Sequence, residues 1–201
     1  MLTSALSKFA SRANTTRPHT TRAMIYSVAH GERVLRCFEQ GSPEPVKSMV
    51  LPGDPRRVNI NSDESLMCIG CEYGGLLVVS LPDLTVLHKS SDYVSGAVFS
   101  PTDTVIIAVA GTYPYSIRLF NTSTLKYDSE SAPLHTSWVH TLDYSPSGHM
   151  ISSASQDFTA AVIDSATCAL ITRLTGHTNT VFYATFIDNV RVVTGLSLIH
   201  I

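Results

Sequence analysis

Residues 142–164 read LDYSPSGHMISSASQDFTAAVID, and this stretch decides the fold. An apolar segment runs into the turn SPSG, a second apolar segment follows, and the polar turn SQDFT leads to a third. Runs of about 4–8 apolar and β-branched residues separated by Ser, Pro, Gly and Asp are typical of short strands joined by turns. The stretch therefore predicts three successive strands.

The same order of strands and turns recurs along the chain. It is found in 65–88 and 104–127, partially in 191–201, and as a half-unit in 24–40. The aligned residues Ile60, Phe99, Tyr144 and Phe186 lie 39, 45 and 42 residues apart. A repeat of this length built from about four short strands is typical of a propeller blade.

Three motifs point to a family. HTSWV (135–139), the stretch at 142–164 and TGHTNTV (175–181) resemble the WD-repeat family, whose units run Gly-His, Ser-Pro-x-Gly, Ser-x-Ser-x-Asp and Trp-Asp. The resemblance covers about 22–195. The chain departs from the pattern at the Trp position, which holds Val79, Phe120 and Ile163, and only the third complete unit keeps the turn Asp, Asp157.

The resemblance implies an all-β WD-repeat β-propeller with about four to five four-stranded blades. The predicted units are a lead-in or candidate targeting segment at 1–21, a half blade at 22–44, blades at 45–90, 91–134 and 135–175, and a partial blade at 176–201. Since the family implies about seven blades in a closed ring, we expect an incomplete ring with exposed sheet edges. Ile199 stands where the turn Asp is expected, which suggests a truncated end or foreign residues at 197–201.

The N-terminal segment is basic, with no acidic residue before Glu32. This composition is typical of an organelle-targeting peptide. The alternative, which we favour, is an irregular lead-in to the first blade, because KFAS and RAMIYSV resemble strands. We expect a cytoplasmic protein, with the nucleus as an alternative, since four cysteines without a secretory segment suit a reducing compartment.

Ser, His and Asp lie close together in the third complete unit. The resemblance implies that His135, Ser153 and Asp157 form a buried hydrogen-bond relay that ties the strands of the blade together, with His177 beginning the next relay. The alternative is a hydrolase triad. No Gly-x-Ser-x-Gly turn surrounds either serine and no Gly-rich donor loop precedes them, so we expect a structural role.

Two further motifs are weak signals of chemistry. Cys68 and Cys71 have zinc-ligand spacing, but no second pair follows, so we expect strand cysteines and no metal or cofactor. Gly74 and Gly75 are interpreted as a tight turn and not as a phosphate-binding loop, because no helix N-terminus follows.

A partner-binding rim is predicted from strand alternation. If Val94, Val139 and Val181 fill the spaces between blades, the residue before each points the other way. Those residues are Tyr93, Trp138 and Thr180, and Gln156 should lie beside Trp138. The alternative is that Trp138 only covers the space between blades.

Composition limits the classes of function. With 44% hydrophobic and 15% charged residues and a net charge of −2, the chain has no basic excess for nucleic acid as its primary partner. No apolar run reaches the roughly 18 residues of a membrane helix. The WD-repeat resemblance in turn implies a rigid ring with variable loops, and from it we predict a non-catalytic scaffold that binds other proteins or peptides within a multiprotein complex and not a membrane.

Two other functions stay open at this stage. The string YSVAHGER (26–33) prompts a subunit of a translation initiation complex, and part of a propeller-fold enzyme is the other alternative. A propeller enzyme would need clustered carboxylates on the central channel. Acidic residues instead occur about one per turn, as Asp83, Asp103, Asp128 and Asp164 illustrate.

Overall fold

The structure is a computed structural model that describes residues 9–10, 23–29, 31–103, 106–111 and 114–196. These residues form strands, turns and loops and contain no helix, and hence none that is long and apolar enough to cross a membrane. Apart from Phe9–Ala10, the candidate targeting segment 1–21 lies outside the described residues, as does the suspected foreign end at 197–201.

Within the described part of the chain, five antiparallel sheets follow one another in sequence order, and within each sheet consecutive strands pair. The first sheet contains β1 (Phe9–Ala10), β2 (Met24–Ala29), β3 (Glu32–Glu39) and β4 (Lys47–Val50). The second contains β5 (Asp54–Ile60), β6 (Leu66–Glu72), β7 (Gly75–Ser80) and β8 (Thr85–Lys89). The third contains β9 (Val94–Phe99), β10 (Ile106–Gly111), β11 (Ile117–Asn121) and β12 (Lys126–Glu130). The fourth contains β13 (Val139–Tyr144), β14 (Met150–Ser155), β15 (Ala160–Asp164) and β16 (Leu170–Leu174). The fifth contains β17 (Val181–Phe186) and β18 (Val192–Leu196).

The predicted all-β repeat architecture is confirmed. Ile60, Phe99, Tyr144 and Phe186 are the last residues of β5, β9, β13 and β17, the first strands of their sheets. Four four-stranded sheets and a two-stranded sheet among the described residues match the expected four to five blades. The repeat spacing in the sequence therefore marks equivalent positions in successive sheets.

The first sheet differs from the predicted half blade at 22–44. It has four strands, and β4 pairs with β3, with Val34 opposite Val50 and Cys37 opposite Lys47. The break between the first two sheets therefore follows Val50 and not residue 44. Alignment on first strands could not locate this break, because the outer strand has no motif and is largely exposed.

Apolar side chains fill the space between neighbouring sheets. The first strand of each later sheet packs against the sheet before it: β9 lies against β5 and β6, β13 against β9 and β10, and β17 against β13 and β14. Strand β6 is buried on both faces, since Met67 and Ile69 contribute to the core with the first sheet and Cys68 to the core with the third. Each inner sheet thus needs a neighbour on both sides to remove its apolar faces from water.

Side chains also bond backbone between sheets. The Phe99 N–H donates to Asn59 Oδ1 at 2.9 Å, and the Phe186 N–H donates to Asp143 Oδ2 at 3.0 Å. Asn59 and Asp143 occupy the same position, next to last in their first strands. These bonds hold the first strands of neighbouring sheets in register.

Phe120 occupies the family's Trp position in the third sheet and is 1% exposed. Its ring centroid lies 4.4 Å from that of His88 on the second sheet and 5.3 Å from that of Tyr127. The phenylalanine therefore joins two sheets near their outer strands.

Replacing Phe120 should test this packing. Truncating a buried phenylalanine removes its burial and leaves a cavity, so Phe120→Ala should lower the free energy of unfolding by about 3–5 kcal/mol. Tyr183→Ala, at an aromatic that is 64% exposed, is the matched control and should change it by about 0.5 kcal/mol or less. Urea denaturation measures both, and equal losses would contradict the packing described.

Candidate functional site

His135 bonds the second strand and the following turn of the fourth sheet. It is 4% exposed, and its Nε2 lies 2.8 Å from Ser153 Oγ on β14. Its Nδ1 lies 3.0 Å from Asp157 Oδ2 in the turn between β14 and β15. The structure therefore brings together the three residues that the sequence placed in a relay.

Asp157 also accepts hydrogen bonds from the surrounding backbone. The Thr136 N–H donates to it at 2.9 Å, and the N–H and hydroxyl of Thr159 donate at 3.0 and 2.7 Å. One carboxylate thus satisfies donors from the loop before β13 and from its own turn. A buried donor left unpaired costs about 1–3 kcal/mol, which explains an acid at this position.

The relay holds a neutral imidazole beside a carboxylate. Burial lowers the pKa of His135, although the neighbouring Asp157 opposes this. Burial alone would raise the pKa of Asp157, but the bonds from Thr159 and Thr136 and the nearby His135 bring it below its ordinary value. Since an ionised Asp157 cannot donate, we assign Nδ1–H of His135 as the donor to it and Ser153 as the donor to Nε2.

The hydrogen bonds run from Asp to His to Ser, as in a catalytic triad, but the serine is buried and no substrate can reach it. Ser153 is 0% exposed, and its hydroxyl also lies 3.5 Å from the carbonyl oxygen of Ala161. An acyl substrate has to place its carbonyl carbon against the serine oxygen. No such approach exists to a serine inside a sheet stack, so the geometry can brace strands but cannot carry out acyl transfer.

His177 makes the corresponding contact in the fifth sheet. Its Nε2 lies 2.7 Å from Thr194 Oγ1, and the strand registers place Thr194 opposite the same position as Ser153. The same registers place the equivalent of Asp157 at position 198, one residue before the 199 expected from sequence. That position lies outside the described residues.

Three aromatic residues form a row: Tyr93 precedes β9, Trp138 precedes β13, and Tyr73 lies in the turn between β6 and β7. The ring centroids of Tyr93 and Trp138 are 5.8 Å apart, and those of Tyr73 and Tyr93 are 5.6 Å apart. Trp138 is 40% exposed, and its carbonyl accepts the N–H of Gln156 at 2.9 Å. Three of the four predicted rim residues, Tyr93, Trp138 and Gln156, therefore lie close together. Tyr73 also belongs to this row but was not predicted from the sequence.

Thr180 is the fourth predicted rim residue. It precedes the fully buried Val181 at the position that Trp138 holds in the fourth sheet. Its N–H donates to Asn179 Oδ1 at 2.7 Å. The aromatic row of Tyr73, Tyr93 and Trp138 therefore has a small polar residue at the equivalent position of the fifth sheet.

A β-bulge follows the row in each of four sheets. The register shifts once near the start of each first strand and leaves one residue without an opposite partner: Arg56, Ser95, His140 or Phe182. A bulge redirects a side chain that strand alternation would place elsewhere. All four bulge residues line one cavity of about 640 Å³.

The bulge cavity, as we call it, has an aromatic opening and a mixed wall. Tyr93 and Trp138 line it together with the bulge residues. The rings of His140 and Phe182 stack with centroids 4.6 Å apart and planes 19° from parallel. Burial lowers the pKa of His140, and the nearby Arg56 lowers it further.

The cysteine pair does not form a metal site. Cys68 faces the core between the second and third sheets, and Cys71 faces the core between the first and second. Residues three apart on a strand point to opposite faces, so the two sulfurs cannot bind one ion. Across residues 9–10, 23–29, 31–103, 106–111 and 114–196, no group of three or more His, Cys, Asp or Glu residues could hold a metal.

Comparison with known proteins finds one matching family model. Residues 131–164, from the loop before β13 to the end of β15, match the model described as WD domain, G-beta repeat. No curated protein matches the chain. The matched residues contain the whole relay of His135, Ser153 and Asp157.

Removing Asp157 should test the bracing role. Asp157→Ala removes the acceptor of the buried His135 and of the partly buried Thr159, together with the bond from the Thr136 N–H, and should lower the free energy of unfolding by about 3 kcal/mol. Asp164→Ala is the matched control, because Asp164 accepts three comparable bonds from Ala166 and Thr167 at an exposed turn where water can replace it. Similar losses in urea denaturation would argue against a buried brace.

Acid should weaken the fold through His135. Its pKa is lowered in the folded state, so the unfolded chain binds a proton more readily, and stability is lost as the pH falls through and below the ordinary value of 6.5. Unfolding free energies at about pH 7.5 and pH 5.5 should therefore differ more in the native chain than in His135→Gln. An unchanged pH dependence in His135→Gln would contradict the relay.

Proposed function

Because residues 131–164 match a WD-repeat model and the chain forms blade-like four-stranded sheets, we propose that it is a non-catalytic scaffold that binds other proteins or peptides through the bulge cavity and its aromatic rim. WD-repeat domains are generally non-catalytic interaction platforms. The observation that supports this most is that Tyr93 and Trp138, whose ring centroids are 5.8 Å apart, both line a cavity that is also lined by bulge residues from four sheets.

The rim residues have the properties of binding anchors. Trp138 is 40% exposed although a tryptophan at the family's own Trp position would be part of the core. Aromatic side chains bury a large area with few rotatable bonds, and Trp, Tyr and Arg are enriched among residues that dominate binding energy. The sheets behind them are rigid, so a partner loses little binding energy to ordering this surface.

The alternative to partner binding is that Trp138 only covers the space between blades. Val139, Leu134 and Leu142 belong to the buried apolar cluster at this junction, whereas Trp138 lies outside that cluster and is 40% exposed. The buried core here is therefore built mainly from aliphatic residues, and much of the indole surface is left in solvent. This supports a binding role.

The enzyme alternative has little support at this cavity. Asp143 is the carboxylate among the described lining residues, and its Oδ2 already accepts bonds from the Thr185 hydroxyl at 2.6 Å and the Phe186 N–H at 3.0 Å. Paired carboxylates for acid–base work are not placed together there. No observation favours the translation initiation subunit over other scaffolds.

We also propose a reducing compartment, the cytoplasm, as the location. Cys37, Cys68, Cys71 and Cys168 are all buried free thiols. Burial raises the pKa of each thiol, which keeps it protonated and unreactive. Such cysteines act as small apolar core residues.

Trp138→Ala tests the scaffold proposal. We expect the purified variant to lose most of the proteins that the native chain captures under the same conditions, because the indole that anchors them is gone. Trp138→Phe keeps an aromatic ring and should retain a part of these proteins. Ile171→Ala is the matched control, since Ile171 is 52% exposed on the outer strand of the same sheet. The same captured proteins in Trp138→Ala and Ile171→Ala would remove the rim from the proposal.

A further inference from the structure

The bulge cavity is lined by two arginines and, among the described residues, one carboxylate. Its lining contains Arg56 and Arg57 but a single described carboxylate, Asp143, which is engaged with Thr185 and Phe186. Glu72 pairs with Arg56, so Arg57 is the cation of this lining that a ligand carboxylate could pair with.

The two arginines differ in how far they are already paired. Arg56 forms an ion pair with Glu72. The Arg57 guanidinium makes no hydrogen bond or ion pair with any described side chain, although the residue is half-buried and lines the cavity. A guanidinium has five donors in a fork that matches a carboxylate, so Arg57 offers an unused bidentate site.

The cavity wall near Arg57 is apolar and aromatic, and it contains two polar atoms that have no hydrogen-bond partner among the described residues. Tyr93, Trp138 and Phe182 line the same space. His140 Nε2 and Thr141 Oγ1, also in the wall, are buried without a hydrogen-bond partner among the described residues. Unsatisfied polar atoms reduce stability, and their concentration at one wall is typical of a surface shaped for binding.

Resting on the proposed scaffold function, we propose that the occupant of the bulge cavity is an extended acidic peptide segment, in which a carboxylate side chain pairs with Arg57 and a neighbouring apolar side chain packs on Trp138 and Tyr93. Charge complementarity selects the acidic residue. The aromatic opening selects the apolar one. Successive side chains of an extended peptide point to opposite sides, which suits an alternating acidic and apolar sequence.

The test uses the chain's single tryptophan, Trp138, as the reporter at the site itself. The probes are a short capped peptide of alternating Glu and Leu, and the same peptide with Gln or Lys in place of each Glu. We expect a saturable change in Trp138 emission with the Glu peptide, about ten-fold weaker binding of the Gln peptide, and weaker binding still of the Lys peptide. The affinity for the Glu peptide should fall as salt is added.

Variants of the protein then test whether the Glu side chains of the peptide pair with Arg57. Arg57→Gln should weaken the Glu peptide about ten-fold and leave the Gln peptide unchanged, whereas Arg191→Gln, at an arginine whose side chain is 70% exposed and paired with Asp188, should change neither. Arg57→Lys keeps the charge without the fork and should give an intermediate affinity, which preserves the test if Arg57→Gln does not fold.

The outcomes separate this inference from the scaffold proposal. Equal binding of the three peptides would overturn the acidic partner but leave a peptide-binding rim in place. Tighter binding of a single-stranded oligothymidylate than of the Glu peptide would overturn it in favour of nucleic acid. No saturable change with any peptide would also overturn it, and the Trp138→Ala capture would then decide the scaffold proposal alone.

Discussion

The burial of apolar side chains between adjacent sheets is the constraint on which the rest of the structure depends. An inner sheet such as the second has apolar residues on both faces, so neither face can remain in water. Each sheet is held by its neighbours, and the inter-sheet bonds at Asn59 and Asp143 only adjust their register. The relay and the bulge cavity are positioned by this stacking, because both are built from strands whose cores are fixed on either side.

Burial also decides the chemistry of the polar groups. Ser153, His135 and Asp157 are hydrogen-bonded in the order of a catalytic triad, yet their burial makes them a brace between the loop before β13, strand β14 and the turn that follows it. The opposite holds for Arg57 and Trp138, which lie where the sheet stack leaves an open cavity. Enclosed side chains thus stabilise the fold, whereas side chains that face this space are available to a partner.

The repeat spacing, the all-β architecture and the WD-repeat match could be predicted from sequence because turn residues and apolar alternation recur at fixed intervals. The relay residues and the neighbouring pair Tyr93 and Trp138 could be named from motif position. The bulge residues Arg56, His140 and Phe182 could not, since a bulge breaks the period of two on which strand alternation depends. Tyr73 was missed because its turn carries no motif, although it corresponds in register to the turn of Asp157.

Thiol labelling of the folded chain tests the stacking most directly. Cys68, Cys71 and Cys168 lie in three different inter-sheet cores, and Cys37 shares the core of Cys71. The stacked-sheet account predicts that all four resist a small thiol reagent in native buffer and react together once denaturant unfolds the chain. Rapid labelling of Cys68 or Cys71 in native buffer, at the rate of an unfolded thiol, would contradict it.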